Sequence, residues 1–505
     1  PFRGTMGMIE YLRSMKFRPS KSFVRILCGA LPLLGALMVG LWPELDALRN
    51  PPIPGDVVFS PQRPDFATTK GVSAANPSSP TRPVVTHTPG RGWSLDWMWE
   101  TWDQVMSWEK NPWKFERPEF CQHYFDLINS EDPADRARAE ELCRLGDGLY
   151  RKMLARYPEL ALPSRDVPAE RNGFLKLLEL AERFDENGRA SNTPGLPAGL
   201  NDLVNQETWD SAATREALLK EKPLMDEIRR IGLMPERSIE GIEILRWGHT
   251  SARFYKGCAD VLLAEARLAA EEGNSAAALE SIRAANGIAA HLGEIETPSL
   301  LATTVQVLIH LGVQKQAFAT IIPSLPPGSV DVAAWKEAVV SPIAGPDEFA
   351  RILKGEWSVT TRQFLAPMLM DTEDPHYPRD PGDLLDAHAV FFLQASRDHE
   401  GRPVSDLHRL PMIQQIESSH LSYESRRMVA ELSVGAGAWR KGWERKQSVT
   451  SMAHAAFAIM GGEPVPRDPV FGLPYVWDPT TRTLSPPDSP EFKEMDIKPI
   501  VLPKP

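Results

Sequence analysis

The densest group of residues that could do chemistry forms an acidic loop between two predicted helices. The loop brings together carboxylates and one histidine, at Asp371, Glu373, Asp374, His376, Asp380 and Asp383. Oxygen ligands at this density suit a hard cation such as Ca²⁺. Their spacing is not that of an EF-hand, and acidic proline-rich loops also cap helices in solvent. The loop is therefore a candidate metal site, and a solvated capping loop is the alternative.

A second candidate is a predicted helix in which basic and aromatic side chains alternate, over residues 439–446. Trp439, Arg440 and Trp443 belong to it and are suited to contact an acidic partner or lipid headgroups. The alternative is a helix face exposed to solvent, where charged side chains usually lie.

A third candidate is a helix pair joined by a Gly273-Asn274 turn. Small and apolar residues flank the turn much as in a tetratricopeptide helix pair, at Ala266, Leu268, Ala278 and Ile282. We find no second copy at a period of 34 residues, and repeat proteins need about three copies to be stable. A peptide-binding groove on this hairpin is thus one interpretation, and ordinary helix packing is the other.

Two cysteines are placed for a possible disulfide. Cys121 and Cys143 lie 11 residues on either side of Asp132, where a helical hairpin is predicted to turn. In an antiparallel hairpin the two would lie at the same height, and an exported compartment permits oxidation. The sequence therefore suggests a Cys121–Cys143 disulfide, with two buried free thiols as the alternative.

The sequence lacks the common catalytic motifs. It has no phosphate-binding G-x-x-x-x-G-K-[ST], no G-x-G-x-x-G, no G-x-S-x-G, no H-E-x-x-H and no C-x-x-C. We therefore assign no catalytic residue, predict no cofactor, and favour a binding or scaffolding protein over an enzyme. The alternative is a hydrolase that uses two carboxylates, because such a pair comes from anywhere in the chain and leaves no motif.

Composition limits the classes of protein that remain. The chain has 505 residues, 42% hydrophobic and 24% charged, with a formal net charge of −11. These values are typical of a globular protein. The acidic balance argues against a nucleic-acid partner, since phosphate recognition needs a basic surface. Four cysteines are too few for a disulfide-built scaffold.

The elements that position these candidates are predicted to be helices. Residues 93–460 show helical periodicity and no sustained period-2 alternation, which indicates a mainly α body. Its predicted arrangement is an irregular array of helical hairpins, with a solenoid-like array as the alternative. A tryptophan-rich segment, 93–113, opens the body as a helix docked on it or lying at a membrane interface. The other predicted helices are 119–129, 132–157, 239–292, 299–311, 332–339, 346–354, 361–370, 381–396, 411–415, 421–444 and 449–460.

Residues 461–505 differ from the body in being rich in proline. Tyr475, Val476 and Trp477 favour a strand, Asp478-Pro479 favours a turn, and 482–484 is suited to the returning strand. The preceding pattern P-x-D-P-x-x-G-x-P-(aromatic)-x-W-D spans Pro466 to Asp478. This tail resembles that of uncharacterised bacterial proteins with a membrane anchor and a helical extracytoplasmic region. The resemblance implies no known activity and assigns no functional residue.

The N-terminal region is predicted to anchor the protein in a membrane. From Ile26 to Trp42 there are 17 residues without a charge, and together with the preceding apolar residues they make a span over 23–43. Residues 1–22 are basic, which predicts that they stay in the cytoplasm and that the body is outside the inner membrane. A cleaved signal peptide and a buried helix are the alternatives. Residues 44–92 form a proline-rich linker.

The sequence therefore favours a single-pass, membrane-tethered extracytoplasmic protein that binds or scaffolds envelope proteins. Its predicted partners are the membrane, through one N-terminal helix, and an envelope protein. The extracytoplasmic hydrolase with paired carboxylates is the alternative.

Overall fold

The computed structural model describes residues 122–503, except 131, 185–194, 205–208, 249–251, 374–376, 378–380 and 408–422. The predicted anchor, the linker and the tryptophan-rich segment 93–113 lie outside the described residues. Within these, the chain is mainly α-helical and ends in a small antiparallel sheet, which confirms the predicted fold class at that level. None of the helices in the described part is long and apolar enough to cross a membrane.

The helices occupy most of the described chain. In chain order they are α1 Gln122–Asn129, α2 Pro133–Arg156, α3 Gly173–Arg183, α4 Ala198–Val204, α5 Ser211–Lys220, α6 Lys222–Gly232, α7 Ile244–Gly248, α8 Ala252–Glu271, α9 Ser275–Gly293, α10 Leu300–Gln316, α11 Ile322–Ser324, α12 Val332–Val339, α13 Glu348–Thr360, α14 Ala366–Met370, α15 Pro381–His399, α16 Val404–Leu407, α17 Tyr423–Gly461 and α18 Pro490–Glu494.

The start of α2 follows from local sequence alone. The Asp132 carboxylate accepts the N–H of Ala134, and Pro133 occupies the first turn. A side-chain cap at this position satisfies a backbone donor that the helix itself cannot pair, and proline fits a first turn because it has no N–H to lose. The predicted hairpin of α1 and α2 is therefore confirmed.

Helices α8 and α9 form the predicted hairpin at the centre of the body. Gly273 has φ +77° in the turn, a conformation that glycine adopts without strain, and Asn274 caps α9 at the N–H of Ala277. On its other side α9 packs on α6. At that crossing the backbones nearly touch, since a Cβ added to Gly287 would lie 1.6 Å from the Gly232 carbonyl oxygen. The absence of a side chain there lets α9 contact α6 directly.

Two helices of the body contain a widened π turn, and in both a proline follows closely. Residues Ala317–Ile321 precede Pro323, and Thr361–Leu365 precede Pro367. Proline has no N–H, and its ring clashes with the carbonyl four residues earlier, so the helix widens there instead of ending. For Pro367 that carbonyl belongs to Gln363, and it accepts the hydroxyl of Tyr124 at 2.8 Å.

The long helix α17 corrects one prediction. Residues 421–444 and 449–460 were predicted as two helices, but Tyr423–Gly461 is one helix of 39 residues. Most of its polar residues from 440 to 451, though not Lys441, are buried rather than marking a break, and the C-terminal tail covers part of them. Tyr475 donates to the Ser448 carbonyl at 3.2 Å, and Arg445 donates to the Asp496 carbonyl at 3.4 Å.

The C-terminal sheet has three strands in the order β1-β2-β3, which are Val476–Asp478, Thr483–Ser485 and Ile500–Val501. Trp477 pairs with Leu484, so the predicted hairpin is confirmed. Its turn is held by the Asp478 carboxylate, which accepts the N–H of Thr480 at 2.8 Å. Strand β3 pairs antiparallel with β2 and was not predicted, because a two-residue strand between prolines leaves no period-2 signal.

Candidate functional site

A cleft of about 990 Å³ lies between the end of α10 with its π turn, the C-terminal third of α17 and the tail that carries β3. No residue of the predicted sites lines it. Its walls come from three distant stretches of chain: 314–332, 449–460 and 482–503. The fold brings these together because α10 and α17 pack directly against each other.

The floor of the cleft is set by the packing of α10 and its π turn on α17. Gln314 on α10 donates from its amide nitrogen to the hydroxyl of Thr450 on α17, at 3.2 Å. Farther along the same contact the rings of Phe318 and Phe457 lie 5.0 Å apart. Residue numbers thus rise together on the two elements, so they run parallel. Met452 and Ala453 complete a buried apolar floor.

The tail forms the opposite wall and is tied down directly after β3. Leu502 donates its N–H to the Arg482 carbonyl, and Arg482 Nε donates to the Pro503 carbonyl, both at 2.8 Å. Arg482 lies at φ +54° in the turn before β2. Val501 faces outward and is 59% exposed. The tail therefore has a fixed path along the cleft.

The polar end of the cleft has an unsatisfied hydrogen-bond acceptor. Gln314 is buried, and its Oε1 has no hydrogen-bond partner among the described residues. A buried polar atom without a partner costs about 1–3 kcal/mol. Gln314 therefore marks the polar end of the cleft.

One helical turn behind Gln314 and Thr450 lie His310 and Lys446. Both are almost fully buried. Burial lowers the pKa of His310 to about 3, with a smaller contribution from the Lys446 cation, so the ring is neutral. Burial also lowers the pKa of Lys446. Two ionisable groups are thus held out of water beside the polar end of the cleft.

The charges along the cleft have one sign. Of the described residues that line it, four have polar side chains, Gln314, Lys315, Arg482 and Lys498, and none is Asp or Glu. Lys498 forms an ion pair with Asp496, which is itself outside the lining. A chain of net charge −11 thus has a cleft whose charged side chains are all basic.

The predicted metal ligands are only partly described. Asp374, His376 and Asp380 lie outside the described residues. Asp371 is buried and bonds His123 Nδ1 at 2.5 Å, whereas Glu373 is exposed and lies 3.5 Å from Arg138. Asp383 is in the first turn of α15. Within the described part of the chain, no three His, Cys, Asp or Glu side chains are arranged to hold a metal ion.

The residues predicted for the hairpin groove are in the protein core. Ala266, Ala278 and Ile282 have no exposed surface, and Leu268 is 7% exposed. They hold α8 and α9 together, so the site they would offer a peptide is occupied by the hairpin's own packing.

The basic-aromatic segment is likewise turned inward, which corrects the expectation of a solvent-exposed face. Trp443 and Arg440 are buried. The rings of Trp439 and Trp443 lie 5.3 and 5.6 Å from that of Phe349. Arg440 Nε lies 3.4 Å from the Glu444 carboxylate, one turn along the helix. These side chains join α17 to α13.

Of the two cysteines in the suggested disulfide, Cys121 lies outside the described residues. Cys143 is buried, with its Sγ 3.1 Å from the Tyr124 hydroxyl, and it has no disulfide partner within the described part. Cys258 is also buried and forms no disulfide with another described residue. The Cys121–Cys143 disulfide stays a prediction.

Three buried carboxylates, on Asp386, Glu356 and Asp468, accept hydrogen bonds from donors of the chain itself. Asp386 accepts from Arg156 and Tyr157. Glu356 accepts the N–H of Leu300, at the start of α10, and burial raises its pKa to about 7. Asp468 accepts the N–H groups of Val470 and Phe471. These groups therefore stabilise helix ends and turns.

The described residues thus form a mainly α-helical protein with a ligand-sized cleft between its body and its tail. Comparisons with protein-family models, with curated proteins and with solved structures found no match.

Proposed function

We propose that this protein is a membrane-tethered helical binding module and that the cleft beside α10 and α17 holds its ligand. The observation that carries the proposal is the combination of size and lining. Ligand sites in proteins usually enclose about 300–1,000 Å³, with apolar walls and a few polar groups that orient the ligand. The cleft has about 990 Å³, mostly apolar walls and Gln314 at one end.

A catalytic role has less support. The buried carboxylates Asp386, Glu356 and Asp468 are each bonded to donors of the chain, so they are not poised as an acid and base pair. No observation on the described residues favours the hydrolase over the binding module.

The tether and its topology are proposed from the sequence. Residues 23–43 span the inner membrane, 1–22 stay in the cytoplasm, 44–92 form the linker, and the body, an irregular array of helical hairpins, contacts envelope proteins. In spheroplasts of cells that express the full chain, we expect added protease to degrade the body while a tag at residue 1 stays protected. A protected body would contradict the topology. Crosslinking in cells then identifies the envelope partner.

Blocking the cleft tests the proposed site. Ala319 is exposed on the cleft wall, so Ala319→Trp places an indole ring in the cleft. We expect a neutral diazirine fatty alcohol, added to the full chain in phosphatidylcholine nanodiscs, to label cleft peptides in the unmodified protein. Labelling of the variant should be at least about fivefold lower. The probe would have to enter a cleft already occupied by the indole ring, and overpacking of this kind costs about 1–3 kcal/mol. Peptide mass spectrometry gives the labelled fraction.

Ala213→Trp is the matched control, because Ala213 is an exposed helical alanine outside the cleft. Its labelling should equal that of the unmodified chain. Equal labelling of the Ala319→Trp variant, or label confined to peptides away from the cleft, would contradict the proposed function.

A further inference from the structure

We infer that the ligand of the cleft is a single-chain amphiphile with an anionic headgroup, a carboxylate or a phosphate. The inference rests on the proposed function and specifies the ligand class of the same site.

Charge selects the headgroup. The charged side chains that line the cleft are Lys315, Arg482 and Lys498, in a chain whose net charge is −11. Lys315 is exposed and Lys498 is partly exposed. An ion pair as exposed as that between Lys498 and Asp496 contributes little, so a ligand anion can replace the Asp496 carboxylate at small cost. A cationic headgroup in the same place would meet only like charge from the cleft lining.

The walls select an alkyl chain over an extended peptide. Five lining residues are prolines, Pro323, Pro326, Pro327, Pro499 and Pro503, and proline has no N–H to donate. A peptide backbone taken out of water needs partners for its own carbonyl and N–H groups. An alkyl chain has no such groups and gains free energy from apolar contact alone. Ile459, Met460 and Ile500, which line the cleft and keep part of their surface exposed, provide that contact.

The two features lie in different parts of the cleft, as an amphiphile requires. The apolar floor is buried, whereas Lys315 and Val501 are exposed at the rim. The geometry therefore places the alkyl chain inward along α17 and the anionic group outward between Lys315 and Lys498.

The test is a competition measured on the full chain in phosphatidylcholine nanodiscs. A diazirine fatty acid labels the cleft, and four competitors that share a dodecyl chain are added: dodecanoate, dodecyl phosphate, dodecyl maltoside and dodecyltrimethylammonium. We expect the two anions to halve labelling at concentrations about tenfold lower than the neutral and cationic compounds, as two exposed ion pairs allow. The better of the two anions identifies the headgroup as carboxylate or phosphate.

Two double variants locate the effect. Lys315→Gln with Lys498→Gln removes both rim charges, and we expect it to weaken protection by the anions about tenfold while leaving the maltoside unchanged. Lys220→Gln with Lys222→Gln removes the same charge from an exposed part of α5 and α6, and should change nothing. Arg482 is left in place because its Nε bonds the tail.

The outcomes separate this inference from the proposed function. If dodecyl maltoside and the two anions protect equally, the anionic ligand is overturned while the cleft remains a binding site. The same follows if the anions protect the Lys315→Gln, Lys498→Gln double variant as well as they protect the unmodified protein. If Ala319→Trp does not reduce labelling by the diazirine fatty alcohol or by the diazirine fatty acid, both the proposed function and the anionic ligand are overturned.

Discussion

Replacing Asp386 with asparagine is expected to lower the free energy of unfolding by about 3 kcal/mol, because it removes the charge of a buried carboxylate that Arg156 and Tyr157 bond. The Asp386 carboxylate is 1% exposed and accepts Arg156 Nε at 2.7 Å and a second guanidinium nitrogen at 2.9 Å. It also accepts the Tyr157 hydroxyl at 2.7 Å. These bonds join the end of α2 to α15, so the variant loses a connection between two helices that are distant in sequence.

Glu182→Gln is the matched control for this prediction. Glu182 holds Arg246 in the same two-bond geometry, with both bonds at 2.8 Å, but both side chains are about 40% exposed. An exposed pair contributes between zero and about 1 kcal/mol, so the control should lose less than that. Urea denaturation followed by circular dichroism measures both variants. Equal losses for the two would show that burial does not set the strength of the Asp386 pair.

Those parts of the fold that depend on local chemistry could be predicted from the sequence. Asp132 and Pro133 define the start of α2, and the Gly273-Asn274 turn defines the α8–α9 hairpin. A helix was predicted near Val332–Val339, and α12 has these bounds, with Asp331 capping its start and Val340 extended after its end. Each of these signals lies within a few residues of the feature that it predicts.

The continuity of α17 could not be predicted in this way. The run from Arg440 to Ser451 is mostly polar, and polar residues within a helix usually indicate a solvated face or a helix end. In the structure most of these residues are buried, although Lys441 is exposed, and the tail supplies Tyr475, the Arg467 carbonyl and the Asp496 carbonyl as cover and partners. Contacts between residues 16 to 51 positions apart leave no mark in a local pattern.

The cleft was missed for the same reason at longer range. Gln314 and Thr450 are 136 residues apart, and the tail closes the cleft from still farther along the chain. Two features of the sequence were nevertheless informative. A histidine and a glutamine, His310 and Gln314, interrupt the apolar run of α10, and Lys446 lies in the polar run of α17. Polar residues at buried helical positions were a better guide to the site than dense polar loops.

Replacing Lys446 with methionine is expected to raise the free energy of unfolding by about 2 kcal/mol at pH 7, since an apolar side chain of similar length removes a buried charge. Lys446 is 4% exposed, and none of the described residues forms an ion pair or hydrogen bond with its amine. The carboxylates that act on it, Glu348 and Glu294, do so from outside ion-pair distance, and its neighbour His310 is neutral. The matched control is Lys441→Met on the same helix, where the side chain is half exposed and pairs with Glu494, and where the change should stay within about 0.5 kcal/mol.

The pH dependence distinguishes a buried charge from a mere change in packing. Burial lowers the pKa of Lys446 below that of the unfolded chain, so between those two pKa values the unfolded state binds more protons. The stability contributed at Lys446 in the unmodified protein therefore rises with pH across that window, up to the ordinary lysine value of about 10.4. The advantage of Lys446→Met should accordingly be largest at neutral pH and shrink towards pH 10, as measured by urea denaturation at both values. An advantage that stays constant with pH, or a less stable variant, would show that the amine is not held as an uncompensated cation beside the cleft.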